Sequence, residues 1–393
     1  MNERSLFLRY LAQTSATPLA LEIVQANGSW LTDRDGKSYL DLISGISVSS
    51  LGHGQPRIVE AIKTQSERYL HLMVYGELIQ SPQVRLAEKL LSTLPPKLDN
   101  VFFLNSGSEA IEGAMKLAKR YTGRPHLISC HKAYHGSSHG ALSLGGTEAQ
   151  KQAFRPLLPG IRQIHYGSFS DLNQIDEQVA AVFVETVQGE AGVVAACPTY
   201  FKALRAACDR AGALLVLDEI QCGMGRTGSF WAFEAMGILP DVLVTAKALG
   251  AGLPLGAFIA PKAVMQCLSH DPILGHISTF GGHPLSCAAA LAGLELMLEE
   301  QLVEQVAMKA EKFRKGLEGI RESHLRQQGL LMALELGSFE RVQQVIQKLL
   351  AQCVFTDWFL NCDTALRLAP ALTINNEDID WACEQIREAV GFD

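Results

Sequence analysis

Residues 213–218, Ala-Leu-Leu-Val-Leu-Asp, and residues 242–252, Val-Leu-Val-Thr-Ala-Lys-Ala-Leu-Gly-Ala-Gly, each pass from a short apolar run to one charged residue. Such runs read as buried strands of a sheet covered on both faces. Lys247 then sits among small and apolar neighbours where its stem cannot easily carry the ammonium out to water, so it is either a misplaced charge or an amine kept dry for chemistry. Asp218 stands 29 residues earlier, at the end of the preceding run. An acid at one strand end and a lysine at the next is the pair that pyridoxal 5'-phosphate requires, the lysine for the Schiff base and the acid to keep the pyridine nitrogen protonated. Alone, Asp218 would read as a strand-end residue bonding to a turn; its companions make the case. Ile220 lies two residues on, on the same side of an extended segment, and can cover a ring face, with Gln221 beyond it in place to bond the phenolic oxygen.

Outward from these two strands, residues 80–260 alternate short apolar runs (101–104, 127–129, 181–184, 214–217, 242–245) with longer amphipathic segments. That alternation predicts an α/β fold with a mainly parallel sheet wrapped by helices. Asn27-Gly28 and Asp35-Gly36 punctuate residues 23–42 as turns of a small meander of hairpins. A helix is expected over 284–300 and a strand near 365–369. The chain is read as an N-terminal part of a small domain (1–48), a large domain (49–283) and a C-terminal part of the small domain (284–393), the two outer segments packing together.

Composition narrows the function. A chain of 393 residues, 48% hydrophobic, can bury a large core, and its net charge of −7 is spread without a basic block, so neither nucleic acid nor an anionic membrane is an expected partner. Nine cysteines without a Cys-x-x-Cys pair, several within apolar runs, read as reduced core residues of a cytoplasmic protein. The N-terminal stretch breaks its apolar residues with charges, as no signal segment does, and no run is long enough to span a bilayer.

The run 101–104 leads into Asn-Ser-Gly-Ser-Glu-Ala (105–110), after which Ile111, Ala114, Met115 and Ala118 mark one helix face. Ser106 and Glu109 have the spacing of a capping box, which alone would mean only a capped helix. Beside the Asp218 and Lys247 pair, the free N–H groups of Ser106, Gly107 and Ser108 read as a phosphate site. Three motifs read otherwise. Gly-Met-Gly-Arg-Thr-Gly (223–228) matches a dinucleotide fingerprint, but four residues separate it from its strand and no acid follows at the expected distance. Gly36-Lys37-Ser38 is a hairpin turn, because Leu31 stands where a phosphate loop needs its first glycine. His131, His135 and His139 recur every four residues as zinc ligands on a helix would, but Gly136 and Gly140 interrupt the segment, and no metal is expected.

With these pieces placed, the chain resembles, over nearly its whole length, the class III aminotransferases, pyridoxal-phosphate enzymes of fold type I. The most specific stretches are 214–228 and Thr-Ala-Lys-Ala-Leu-Gly-Ala-Gly-Leu-Pro (245–254). The resemblance implies a seven-stranded-type sheet in a large domain beside a smaller α+β domain. By motif it puts Ser106, Gly107 and Ser108 on the cofactor phosphate and Tyr134 on the exposed ring face, with His135 beside it as a brace for the loop. Glu185 and Glu190 match two acids lining the pocket, the first on the cofactor side and the second on the substrate side. Thr279, in Ser-Thr-Phe-Gly-Gly-His, matches a threonine that reaches the phosphate of a neighbouring subunit, which implies a homodimer. Arg367, in Ala-Leu-Arg-Leu-Ala-Pro, matches an arginine that grips a substrate carboxylate, a task suited to its fork. Without the motif it would read as an exposed strand residue. One departure stands out: Ser137 follows His-Gly where the acetylornithine, ornithine and 4-aminobutyrate enzymes usually carry an arginine for a second carboxylate.

The expected function is transamination of an ω-amino acid, such as ornithine or its N-acetyl derivative, with a keto-acid acceptor, 2-oxoglutarate being the family's usual one. Lys247 would move a proton from the donor's amine-bearing carbon to the cofactor's C4', acting as general base and then acid. Alternatives are an ω-amine:pyruvate aminotransferase, or a relative of the same fold that acts as an aminomutase or decarboxylase. A nicotinamide dehydrogenase would rest on the glycine motif alone.

Overall fold

A computed structural model describes residues 2–391; Met1, Phe392 and Asp393, the ends of the first and last expected segments, lie outside the described residues. The apolar runs form one seven-stranded sheet, in the order Asn100–Leu104, Gly256–Ala260, Val242–Thr245, Leu214–Asp218, Val179–Glu185, His126–Cys130, Ile161–Ile164. Gly256–Ala260 runs antiparallel to both neighbours, and the other pairings are parallel. Five of the seven strands are the five runs read from sequence. Ile161–Ile164 escaped because an edge strand carries Arg162 and Gln163 between its apolar ends, and Gly256–Ala260 because it follows Leu253 and Pro254 with no polar boundary. Gly256 itself is a matter of space: a Cβ there would lie 2.2 Å from the carbonyl oxygen of Ser106, where the phosphate-type loop crosses it.

The central strands are buried along their whole length. Burying Leu214, Leu215, Val216 and Leu217 contributes about 1.5–3 kcal/mol each, enough to hold Asp218, 4% exposed, at the strand end although removing a carboxylate from water costs several kcal/mol. The helix Gly107–Thr122 crosses the sheet with Ile111, Ala114, Met115 and Ala118 inward; Ser106 caps its start and left-handed Gly123 ends it. Because the parallel strands share one direction, their C-terminal ends lie along one rim, the place where open α/β sheets bind ligands.

Two smaller sheets flank this core. Ile23–Asn27, Trp30–Asp33 and Ser38–Asp41 form the expected meander, and Val354–Phe355 joins it in parallel to Ser38–Asp41. The chain's two ends thereby share one sheet. Four further strands, His324–Gln328, Leu331–Glu335, Cys362–Leu368 and Asp357–Phe359, form an antiparallel sheet. The helix expected over 284–300 spans Pro284–Glu299. All nine cysteines are free; five are buried, and Cys197 is exposed, contrary to a core reading of that residue.

Candidate active site

A cavity of about 410 Å³ opens at the C-terminal rim of the sheet. Asn105–Ser108, Tyr134, His135, Glu185, Asp218, Ile220, Gln221 and Lys247 line it. At one end is the first turn of the helix Gly107–Thr122, whose N–H groups and dipole favour an anion. The capping box forms, shifted by one residue: Glu109 N–H donates to Ser106 Oγ at 3.2 Å, while Glu109 Oε2 accepts from Asn105 N and Nδ2 at 2.9 and 2.8 Å. Gly107 leaves room for its neighbour: a Cβ there would sit 2.8 Å from Ile220 Cδ1, so the isoleucine side chain would have to shift. Ser108 Oγ accepts from Ser137 N–H at 3.2 Å, tying the two loops together.

In the middle, Asp218 Oδ1 accepts from Ile220 N–H at 3.0 Å and Oδ2 meets His135 Nδ1 at 2.7 Å. Each oxygen keeps a lone pair for a further donor. His135 is therefore more than the loop brace suggested by sequence. Against the desolvation of a closed site, Asp218 holds its pKa above the ordinary histidine value. The bracing falls to Glu185, which accepts from Tyr134 N–H at 3.1 Å and Gly189 N–H at 3.0 Å and whose pKa burial pushes up to about 7. Gln221 Nε2 is buried without a hydrogen-bond partner.

Lys247 follows the strand Val242–Thr245 with φ 47°, a left-handed conformation that L residues adopt at a cost and that commonly marks functional sites. It is half-buried by surface area and opens on the cavity. Desolvation lowers the pKa of its amine; Glu190, Asp218 and Glu185 pull it up, and Arg367 pushes it further down. These residues fit pyridoxal phosphate: N–H groups for its phosphate, an acid with spare acceptor capacity for its ring nitrogen, an amine for its aldehyde, and in Gln221 an unsatisfied donor for its phenolic oxygen.

Glu190 and Arg367 lie beside this cavity, outside its immediate lining. They form a bidentate pair, Oε1 to Nη1 at 2.8 Å and Oε2 to Nη2 at 2.9 Å, with side chains 4% and 2% exposed. Arg367 also donates to Trp358 O at 2.7 Å and lies over the Phe359 ring, 4.7 Å from its centroid. Glu190 is gripped in turn by the 360–361 turn, its Oε2 accepting from Leu360 N–H and its carbonyl from Asn361 N–H, each at 3.0 Å.

Other residues singled out in the sequence go elsewhere. Thr279 is exposed and does not line the cavity, although Ser278 beside it accepts from Asn105 Nδ2 at 3.0 Å. Ser137 is exposed, its hydroxyl 3.1 Å from that of Tyr134. Arg155 pairs with Glu148 and Arg162 with Asp176, so neither supplies the missing arginine. The three spaced histidines part company: His131 packs on His165, His135 meets Asp218, and His139 bonds Pro156 O. Among the described residues no cluster has the makings of a metal site. The 223–228 segment is a run of turns whose Arg226, 1% exposed, donates to Leu330 O, Pro370 O and Ser50 Oγ, tying three distant stretches of chain together.

Sequence reasoning missed Val48 and Asp357. Val48 reaches the cavity because residues 44–47 all have positive φ, between 46° and 63°; only Gly45 hinted at that turn. Asp357 lies across from Arg367 in the sheet, a pairing that no local pattern announces.

Comparison with known proteins agrees with this arrangement. The family model for aminotransferase class-III matches residues 11–390. An acetylornithine aminotransferase of Methanopyrus kandleri is 38% identical over 396 residues, covering 99% of both chains. A putrescine aminotransferase of Pectobacterium atrosepticum is also 38% identical, over 94% of this chain and 82% of its own. Among solved structures, an ornithine aminotransferase from Toxoplasma gondii superposes with a TM-score of 0.90 at 29% identity, over 98% of this chain and 93% of that one. No described helix is long and apolar enough to cross a membrane. A family match along nearly the whole chain, on a fold whose strand ends bring the lysine and the acid to one cavity, makes this protein a member of the class-III aminotransferases, an enzyme dependent on pyridoxal phosphate.

Proposed function

We propose that the enzyme transfers the distal amine of an ω-amino acid of the ornithine or N-acetylornithine type to an α-keto acid, 2-oxoglutarate foremost. The observation that carries this reading is the buried Glu190–Arg367 pair close enough to Lys247 to act on its charge. Opening a buried ion pair without replacement costs about 3–5 kcal/mol. While a donor presents its distal amine, Glu190 covers Arg367; a carboxylate that takes the place of Glu190 can open the pair without that cost. The relatives' names add weight for the donor.

Bound pyridoxal phosphate supplies a carbonyl carbon for the donor nitrogen and a ring that draws electrons from the amine-bearing carbon. The chain's residues do the rest. Ser106, Gly107 and Ser108 would hold the phosphate by their N–H groups, Ile220 and Tyr134 would cover the ring, and Gln221 would donate to the phenolic oxygen. Asp218, fixed by His135, would keep a proton on the ring nitrogen, while Glu185 holds the Tyr134 loop. Lys247 Nζ, its ammonium disfavoured by burial, would take the proton from the donor's amine-bearing carbon and deliver it to the cofactor carbon that carried the aldehyde.

We further read the chain as a cytoplasmic homodimer, with the large domain at 49–283 and a small domain from both ends. Leu70, Met73, Ile79, Ile277 and Phe280 are 58, 40, 96, 47 and 53% exposed. Phe280 packs on His71 at 4.9 Å, so the two segments adjoin and offer one apolar face. Thr279 stands exposed between Ile277 and Phe280, which is compatible with its reaching a neighbour's phosphate.

A second reading has its own support. The putrescine aminotransferase has the same 38% identity as the acetylornithine enzyme, over a smaller share of its length, and Ser137 leaves no arginine at that position for a second carboxylate, which suits a diamine donor. A panel of N-acetylornithine, ornithine, 4-aminobutyrate and putrescine, each with 2-oxoglutarate and with pyruvate, separates the two. Turnover of α-amino acids alone would overturn both.

A further inference from the structure

Arg367 faces a second carboxylate that the exchange described above does not use. Asp357 Oδ1 lies 2.9 Å from Arg367 Nε, and the strand pairing sets the two residues directly opposite one another. The contact is a close ion pair off the N–H axis, for neither Nε nor Oδ1 has a hydrogen-bond partner. The guanidinium is thus divided by edge: its two Nη atoms face Glu190, and Nε faces Asp357. Burial raises the pKa of Asp357 to about 6 although Arg367 pulls it down, so the acid stays beside its partner at a cost that an exposed carboxylate would not bear.

We propose that Asp357 is a positioning residue for acceptor binding: it keeps Arg367 aimed by its Nε edge while the Nη edge exchanges Glu190 for the carboxylate of the keto acid. The inference rests on the reading that Arg367 takes that carboxylate. When Glu190 leaves, Trp358 O and the Phe359 ring still touch the guanidinium, but Asp357 is then the anion left on it from the protein. Arginine carries considerable rotamer freedom, and an arginine already held loses less of it on gripping a ligand. Asp357 could act instead as a negative charge that repels the incoming carboxylate, and the two roles differ in sign.

The test uses the holoenzyme in steady state, where ping-pong kinetics give separate constants for the best donor and for 2-oxoglutarate. Asp357→Ala is expected to raise the KM for 2-oxoglutarate about tenfold, the worth of ordering one long side chain, while kcat and the donor's kcat/KM stay within about twofold. Asp357→Asn, which keeps the side chain's shape but removes the charge on which this off-axis contact rests, should raise the acceptor KM as well, by less than Asp357→Ala does. A fall in acceptor KM would mean repulsion and overturns the proposal; equal losses for donor and acceptor would mean a general structural role and overturn it too. Arg367→Lys serves as control. If it raises the acceptor KM and neither Asp357 variant does, only the inference about Asp357 fails; if it leaves the acceptor KM unchanged, the reading of Arg367 fails and takes the inference with it. Should Asp357→Ala not fold, Asp357→Asn carries the test: a rise in acceptor KM alone supports the assignment, and no change, or matched changes in both half-reactions, overturns it.

Discussion

At the strand ends Asp218 is met by one histidine and one backbone N–H, and Lys247 by a left-handed turn of its own backbone; at the neighbouring wall a single arginine is shared by two carboxylates, Glu190 and Asp357. The first region is fixed by the sheet, each group standing at the end of a strand buried throughout. The second is assembled from two segments far apart in the chain, Glu190 and the paired strands that carry Asp357 and Arg367, and its strongest contact is the one that the proposed function has a substrate replace. The difference suits a division of labour. On the proposed function, groups on the rim would serve every substrate alike and groups on the wall would choose among substrates.

The largest effect should come from the rim. Lys247→Ala removes the proton carrier and is expected to lower kcat by about 10⁴ or more, the upper range for a general acid–base group, and to do so equally for every donor. Single-turnover absorbance of the bound cofactor measures it. Unequal losses among donors would break the division between rim and wall.

On the wall, Glu190→Gln leaves the Nη edge of Arg367 without its carboxylate. The preference should shift from distal-amine donors toward α-amino acids by about 10- to 100-fold, the scale of one charge-assisted hydrogen-bonded pair. A pH effect follows as well. Glu190 is the strongest upward pull on the Lys247 amine and Arg367 a downward push; removing the acid lowers the pKa of the lysine, so the neutral base survives to lower pH. The acid limb of kcat should move to lower pH, and a move the other way would show that Glu190 does not act on Lys247.

The smallest effect concerns Ser137, exposed at the mouth beside Tyr134. Ser137→Arg should improve discrimination for 2-oxoglutarate over pyruvate by about two- to fivefold, the worth of an exposed ion pair. If wild type already strongly prefers 2-oxoglutarate and the arginine adds nothing, another residue holds the distal carboxylate.

The sequence by itself determined the rim. Buried parallel strands are written as continuous apolar runs, a helix start as a hydroxyl and an acid three residues apart, and a functional charge as the residue that breaks an apolar context; all are local signals, read within a few residues of Ser106, Asp218 and Lys247. The edge strand Ile161–Ile164 and the antiparallel Gly256–Ala260 were lost where that signal thins. Only the tertiary structure decided that His135 turns onto Asp218, that Arg226 leaves its glycine-rich segment to bond Leu330, Pro370 and Ser50, that Val48 enters the cavity through four left-handed residues, and that Asp357 meets Arg367. The first two depend on which distant backbone lies alongside, the third on left-handed backbone and the fourth on a strand register that side-chain patterns do not announce; the energy of a buried polar contact comes from partners that the local pattern does not contain.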